Sequence, residues 1–132
     1  MSAIFDTSFI EALHNRREQE HARAKQIMAL AIKGEYGRLL LPEYVFDEAV
    51  TLAYSRTDKK SAMELGERLL SSEFEFVPSD LQTFKEAWET FKKTEKLSFT
   101  GCVIIALSKS CGAAVVSFDR EFNKIPSLKV IS

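Results

Sequence analysis

Three short apolar runs, Ala3-Ile4-Phe5, Leu39-Leu40-Leu41 and Ala113-Ala114-Val115-Val116, alternate with segments of helical period, and this constrains the fold more than anything else in the sequence. Runs that are apolar at every position suit strands buried on both faces, as in a parallel sheet. Strands that alternate with helices require right-handed crossovers, which place helices on the faces of the sheet. The expectation is therefore α/β: a three-layer α/β/α arrangement with a central, mostly parallel sheet and helices on both faces. At 132 residues, 45% hydrophobic, the chain has enough apolar surface for one core, and residues 1–132 are expected to form a single domain.

The first run stops on an acid. In Ala3-Ile4-Phe5-Asp6-Thr7-Ser8 the strand delivers Asp6 at its carboxyl end, the edge where open α/β sheets bind ligands. Ala113 to Val116 does the same for Ser117-Phe118-Asp119. Leu39 to Leu41 leads through Pro42, which suits a first helical turn, into a helix over about residues 43–55. At about 100° per residue, with Val45 as origin, Ala49 falls near 40°, Leu52 near 340° and Ala53 near 80°. Glu48 then lies near 300°, at the edge of this apolar stripe, whereas Asp47 lies near 200° and faces away. Asp6, Glu48 and Asp119 thus come from three places in the chain to one edge of one sheet.

The remaining segments supply the scaffold. Phe9, Ile10 and Leu13 form a short helical stripe, and Glu18 to Lys33 reads as a polar helix with Ala22, Ile27, Met28, Ala31 and Ile32 turned inward, ended by Gly34 and Gly37. A helix over about 58–71 carries Met63, Leu65, Leu69 and Leu70. Phe74-Glu75-Phe76-Val77 alternates like a strand, and Pro78-Ser79-Asp80 stops it and caps the next helix. There Leu81, Phe84, Ala87, Trp88 and Phe91 repeat at helical spacing and read as core. The segment 99–111 is apolar almost all round, a buried helix ended by Gly112, and Lys129-Val130-Ile131 is a last short strand.

Eighteen basic and nineteen acidic residues leave a net charge of −1, so a polyanionic partner would be held by a local patch and not by a global field. Arg16-Arg17, Arg56 with Lys59-Lys60, and Lys92-Lys93-Lys96 could touch phosphates, but such runs are more often solvated faces and none is assigned; His14 and His21, on a polar helical region, are read as solvated. No apolar run is long enough to span a membrane and no basic n-region precedes the first strand, so the protein is expected in the cytoplasm. Cys102 and Cys111 fall on opposite faces of one helix and cannot bridge. Clustered carboxylates repel one another unless a cation neutralises them, and oxygen-only ligands suit Mg²⁺ or Mn²⁺, which can activate water for phosphodiester hydrolysis. No Cys/His cluster points to zinc and no Gly-rich loop to a nucleotide.

Four blocks in order, Ile4-Phe5-Asp6-Thr7-Ser8 with Ala12-Leu13, Pro42 to Glu48, Leu97-Ser98-Phe99-Thr100 and Ser117 to Phe122, resemble a PIN domain of the VapC toxin type along essentially the whole chain. The resemblance implies an Mg²⁺- or Mn²⁺-dependent endoribonuclease, commonly a homodimer, with RNA as substrate and a small VapB-like antitoxin as partner. It matches Asp6, Glu48 and Asp119 to metal-binding acids, with Ser8 and Ser117 as supporting groups. It also places a further acid where this chain has Gly101, through natural degeneration or deliberate inactivation, and an impaired enzyme is expected. A catalytically silent PIN-like module that binds RNA or protein is the alternative. Phosphotransfer on a similar sheet is disfavoured, because Ser8 stands where a phosphatase needs a second acid and Phe5 where a receiver domain needs one.

Overall fold

The computed structural model describes all residues from Met1 to Ser132. Five strands, β1 (Ser2–Phe5), β2 (Arg38–Pro42), β3 (Glu75–Val77), β4 (Ala114–Val116) and β5 (Val130–Ile131), lie in the order β3-β2-β1-β4-β5 with every pairing parallel. Ala3 pairs with Leu39 on one side and Ala114 on the other, so the three apolar runs of the sequence become the centre of the sheet. All four residues of β1 are buried. Six helices complete the fold: α1 (Thr7–His14), α2 (His21–Ile32), α3 (Glu43–Arg56), α4 (Lys59–Ser71), α5 (Leu81–Lys93) and α6 (Phe99–Cys111). From β1 to β3 the chain moves outward in one direction, then it returns across the sheet to β4. Right-handed crossovers therefore put α1 to α4 on one face and α5 with α6 on the other.

Local chemistry sets the boundaries. Asp80 caps α5 by accepting the Thr83 N–H at 2.8 Å, and Ser98 caps α6 by accepting the Gly101 N–H at 3.0 Å. Gly112 ends α6 in the left-handed conformation, φ 67°, where a side chain would be strained. Between these caps Cys102, Val103, Ile104, Ile105 and Ala106 are all buried, and α6 is the enclosed apolar helix that its composition predicts.

Four details differ from the sequence reading. Pro42 is the last residue of β2, paired with Val77, and the N-cap of α3, not a residue of its first turn. Helix α2 begins at His21, after a turn in which the Glu18 N–H reaches the Asn15 carbonyl; its inward face is Ala24, Ile27 and Ala31, with Ala22 and Ile32 outside. In α4, Leu65 and Leu69 are buried, but Met63 and Leu70 are exposed. The largest difference is α5, where only Ala87 is buried; Leu81, Phe84, Trp88 and Phe91 are exposed by 66, 42, 48 and 38%. The physical reason is position: α5 lies outside α6 and meets it through Ala87 and ring edges. Phe84 and Phe91 reach Phe99 at centroid distances of 5.5 and 5.9 Å. Nothing in this chain covers the outer side of the stripe.

Candidate functional site

The chain leaves β1 toward β2 on one side and returns to β4 on the other, so the switch point of the sheet opens between the carboxyl ends of β1 and β4. Asp6 stands at the first of these ends and Ser117 at the second. The Asp6 N–H donates to the Val116 carbonyl at 3.0 Å, which extends the ladder into the site. Asp6 occupies the N-cap position of α1, yet its side chain caps no helix N–H. Its Oδ2 instead accepts the Ser117 hydroxyl at 2.7 Å and the Ser8 hydroxyl at 2.9 Å. The two hydroxyl oxygens are 3.1 Å apart; Ser8 Oγ accepts the Phe118 N–H and Ser117 Oγ the Asp119 N–H, each at 3.0 Å. Asp6 is 6% exposed and Ser117 1%. Burial pushes the Asp6 carboxyl above the usual carboxylate range, the Ser117 and Ser8 hydroxyls and the Thr7 backbone N–H pull it down, and the negative charge of Asp119 adds to the rise.

The other acids are held less tightly. Asp119 is half-buried and uses one carboxylate oxygen to accept the Glu121 N–H at 3.0 Å, capping a 3₁₀ turn over Arg120–Lys124. Glu48 is half-buried where Asp47 is exposed, in keeping with their angles on α3. Its one side-chain partner is the Thr100 hydroxyl, which donates to Oε2 at a long 3.4 Å. Thr100 stands in one of the four sequence blocks, but nothing in the sequence assigned it a part beside Glu48.

Gly101 adjoins Thr100 as the third residue of α6, buried and without a side chain. A Cβ built there would lie 3.1 Å from Leu97 Cδ2 and 3.5 Å from both Phe122 Cζ and Ser98 Oγ. The tight contact is with the tip of a leucine, so an acid at 101 needs Leu97 to yield by a few tenths of an ångström.

The donors at this edge are carboxylates and hydroxyls, the kind that hard divalent ions take. Their number falls short, for no three Asp, Glu, His or Cys side chains stand together in a group that could hold a metal ion. The residues present therefore match such an ion in chemistry but do not by themselves make a complete centre.

The pattern that defines the PIN domain matches residues 3–128. This chain belongs to the PIN domain family. A VapC ribonuclease of Archaeoglobus fulgidus is 24% identical over 127 residues, covering 93% of this chain and 80% of that protein. Among solved structures, VapC20 of Mycobacterium tuberculosis, a toxin that cleaves the sarcin-ricin loop, superposes with a TM-score of 0.82 at 22% identity, over 92% of each chain. A toxin-antitoxin complex from Klebsiella pneumoniae matches with a TM-score of 0.65 at 17% identity, over 98% of this chain and 96% of that one. The five-stranded parallel sheet with helices on both faces is the PIN arrangement that the four sequence blocks imply.

Proposed function

We propose that this PIN domain is built as a divalent-metal-dependent endoribonuclease of the VapC toxin type and that Gly101 leaves its site short of one acid. The observation that carries the reading is Asp6: a buried carboxylate at the switch point, free of any capping role, held by two hydroxyls and set beside a second acid. A carboxylate confined in this way is costly unless a cation compensates it. In the proposal Asp6 and Asp119 hold Mg²⁺ or Mn²⁺ from the sheet side and Glu48 approaches from α3. When bound, the ion supplies Lewis acidity and a water of lowered pKa. Ser8 and Ser117 fix the Asp6 oxygen that faces them, and the Asp119 carboxylate is kept in place by the turn it caps.

The exposed aromatic stripe of α5, with Leu70 and Phe76 nearby, offers an apolar surface for a protein partner, in keeping with a VapB-like antitoxin or a second copy in a homodimer. No helix is long and apolar enough to cross a membrane, and action on cellular RNA would place the protein in the cytoplasm.

A second reading, a silent PIN domain that binds RNA or a protein without cutting, is favoured by one observation: no three acidic side chains cluster in the chain as it stands. RNA cleavage in Mg²⁺ or Mn²⁺ by this chain and by its Gly101→Asp variant separates the two. The nuclease reading expects cleavage to rise well above the unaltered chain. Absence of cleavage in both, with RNA or partner binding retained, favours the silent module.

A further inference from the structure

Arginines that are distant in the sequence line one cavity. Between the exit of α1, the end of α3 and the start of α4 lies a cavity of about 510 Å³ whose walls include Arg16, Arg17, Arg56, His14 and Ser61. Its one acid, Glu11, is engaged in an ion pair with Arg56. Arg16 and Arg17 are exposed and make no ion pair. Asn15 Oδ1 accepts the Arg17 N–H at 3.0 Å, which fixes the loop that carries both arginines. His14 Nε2 meets Ser61 Oγ at 3.3 Å, while its Nδ1 is buried with no partner. Burial and, after it, Arg68 on α4 hold His14 below its ordinary pKa, against the opposite pull of Glu64. Three arginines and a single acid, already paired with one of them, line this concave surface.

Its place relative to the acids gives the cavity a use. His14 follows Asp6 by eight residues along α1, and Arg56 follows Glu48 by eight along α3. At about 1.5 Å per residue each helix covers about 12 Å between acid and cavity. A strand bound with one phosphate at the acidic edge can therefore lay a nearby phosphate in the cavity. Guanidinium groups suit this because their forked N–H donors match phosphate oxygens in pairs.

We propose that this cavity is a phosphate subsite for single-stranded RNA, taking a backbone phosphate that flanks the one at the acidic edge; the assignment rests on the nuclease reading above. The test is RNA binding by the full chain in EDTA, followed by fluorescence anisotropy across a range of salt with a labelled single-stranded oligonucleotide long enough to reach both places. Arg16→Ala with Arg17→Ala is expected to weaken binding roughly tenfold and to flatten the log–log salt slope by about 0.7, the value for the one phosphate that is no longer neutralised. Arg16→Lys with Arg17→Lys, which keeps the charge, is expected to retain most of the affinity. Lys92→Ala with Lys93→Ala, remote on α5, is expected to leave the slope as it was. An unchanged slope in the Arg→Ala variant, or an equal loss in the α5 variant, overturns the subsite. Both arginines are exposed, so their removal spares the fold. Because EDTA removes turnover from the assay, failure of Gly101→Asp to cleave would count against the nuclease reading and not against this result.

Discussion

The two sides of the acidic edge are built to different standards. On the β1–β4 side, Asp6 is buried, two hydroxyls fix one of its oxygens, and those hydroxyls are themselves tied to the backbone N–H groups of Phe118 and Asp119. On the α3–α6 side, Glu48 is half-exposed and has one long contact to Thr100, and the neighbouring position is a glycine. Strand ends in a parallel sheet are set by the ladder, so a residue there inherits its position from the core. Residues on helix faces reach the edge only through their own side chains. The first side therefore holds its geometry with no ion bound, and the second depends on which residue is present.

The largest test of this contrast is at Asp6. In the Gly101→Asp protein, Asp6→Asn is expected to bring RNA cleavage in Mg²⁺ down to background, since the amide keeps the shape but loses the charge; cleavage close to that of the parent would contradict the role given to Asp6. The same change has a pH signature in ion-free protein. Folding raises the Asp6 pKa, so as pH climbs from the ordinary carboxylate range toward the raised value the unfolded chain releases its proton first. Stability therefore falls with rising pH across that window, and denaturant titrations should show the fall disappear in Asp6→Asn.

Ser117→Ala removes one hydroxyl from the ordered side and is expected to cost about 10–100-fold in divalent-ion affinity by calorimetry, the usual scale for a group that orients a ligand. Glu48→Gln should cost less than Ser117→Ala, because the carboxylate it replaces is loosely held. If Glu48→Gln proves the more damaging, the ranking of the two sides is reversed. The smallest effect is at Gly101→Ala: relief of the helical glycine is worth up to ~1 kcal/mol, reduced by the 3.1 Å contact with Leu97. A modest gain in unfolding free energy is expected, and a clear loss would mean that Leu97 cannot yield.

The same contrast explains what the sequence could and could not tell. Leu39–Leu41 and Ala113–Val116 are apolar at every position, a pattern with few homes besides a parallel sheet, so the order of layers and the strand-end positions of Asp6 and Asp119 followed directly. Helical period is weaker information: it says that one face is apolar but not what lies against it. Phe84, Trp88 and Phe91 read as core and are largely exposed, because α5 packs through the small Ala87. The start of α2 shifted for a related reason, since the turn after Asn15 is made by backbone hydrogen bonds that composition does not announce. At the site, the angle of Glu48 on α3 was legible; its contact with Thr100 was not, for it depends on how α3 and α6 cross. The collection of Arg16, Arg17 and Arg56 into one cavity was hidden likewise, by the length of chain that separates them.

The central claim is that the site is short of one acid at residue 101, and divalent-ion affinity tests it most directly. Calorimetric titration of Mn²⁺ into this chain and into Gly101→Asp, each checked for an unchanged fold by circular dichroism, is expected to show weak binding in the first and markedly tighter binding in the second, with Mg²⁺ competing for the same site. Equal affinity in the two proteins would contradict the account.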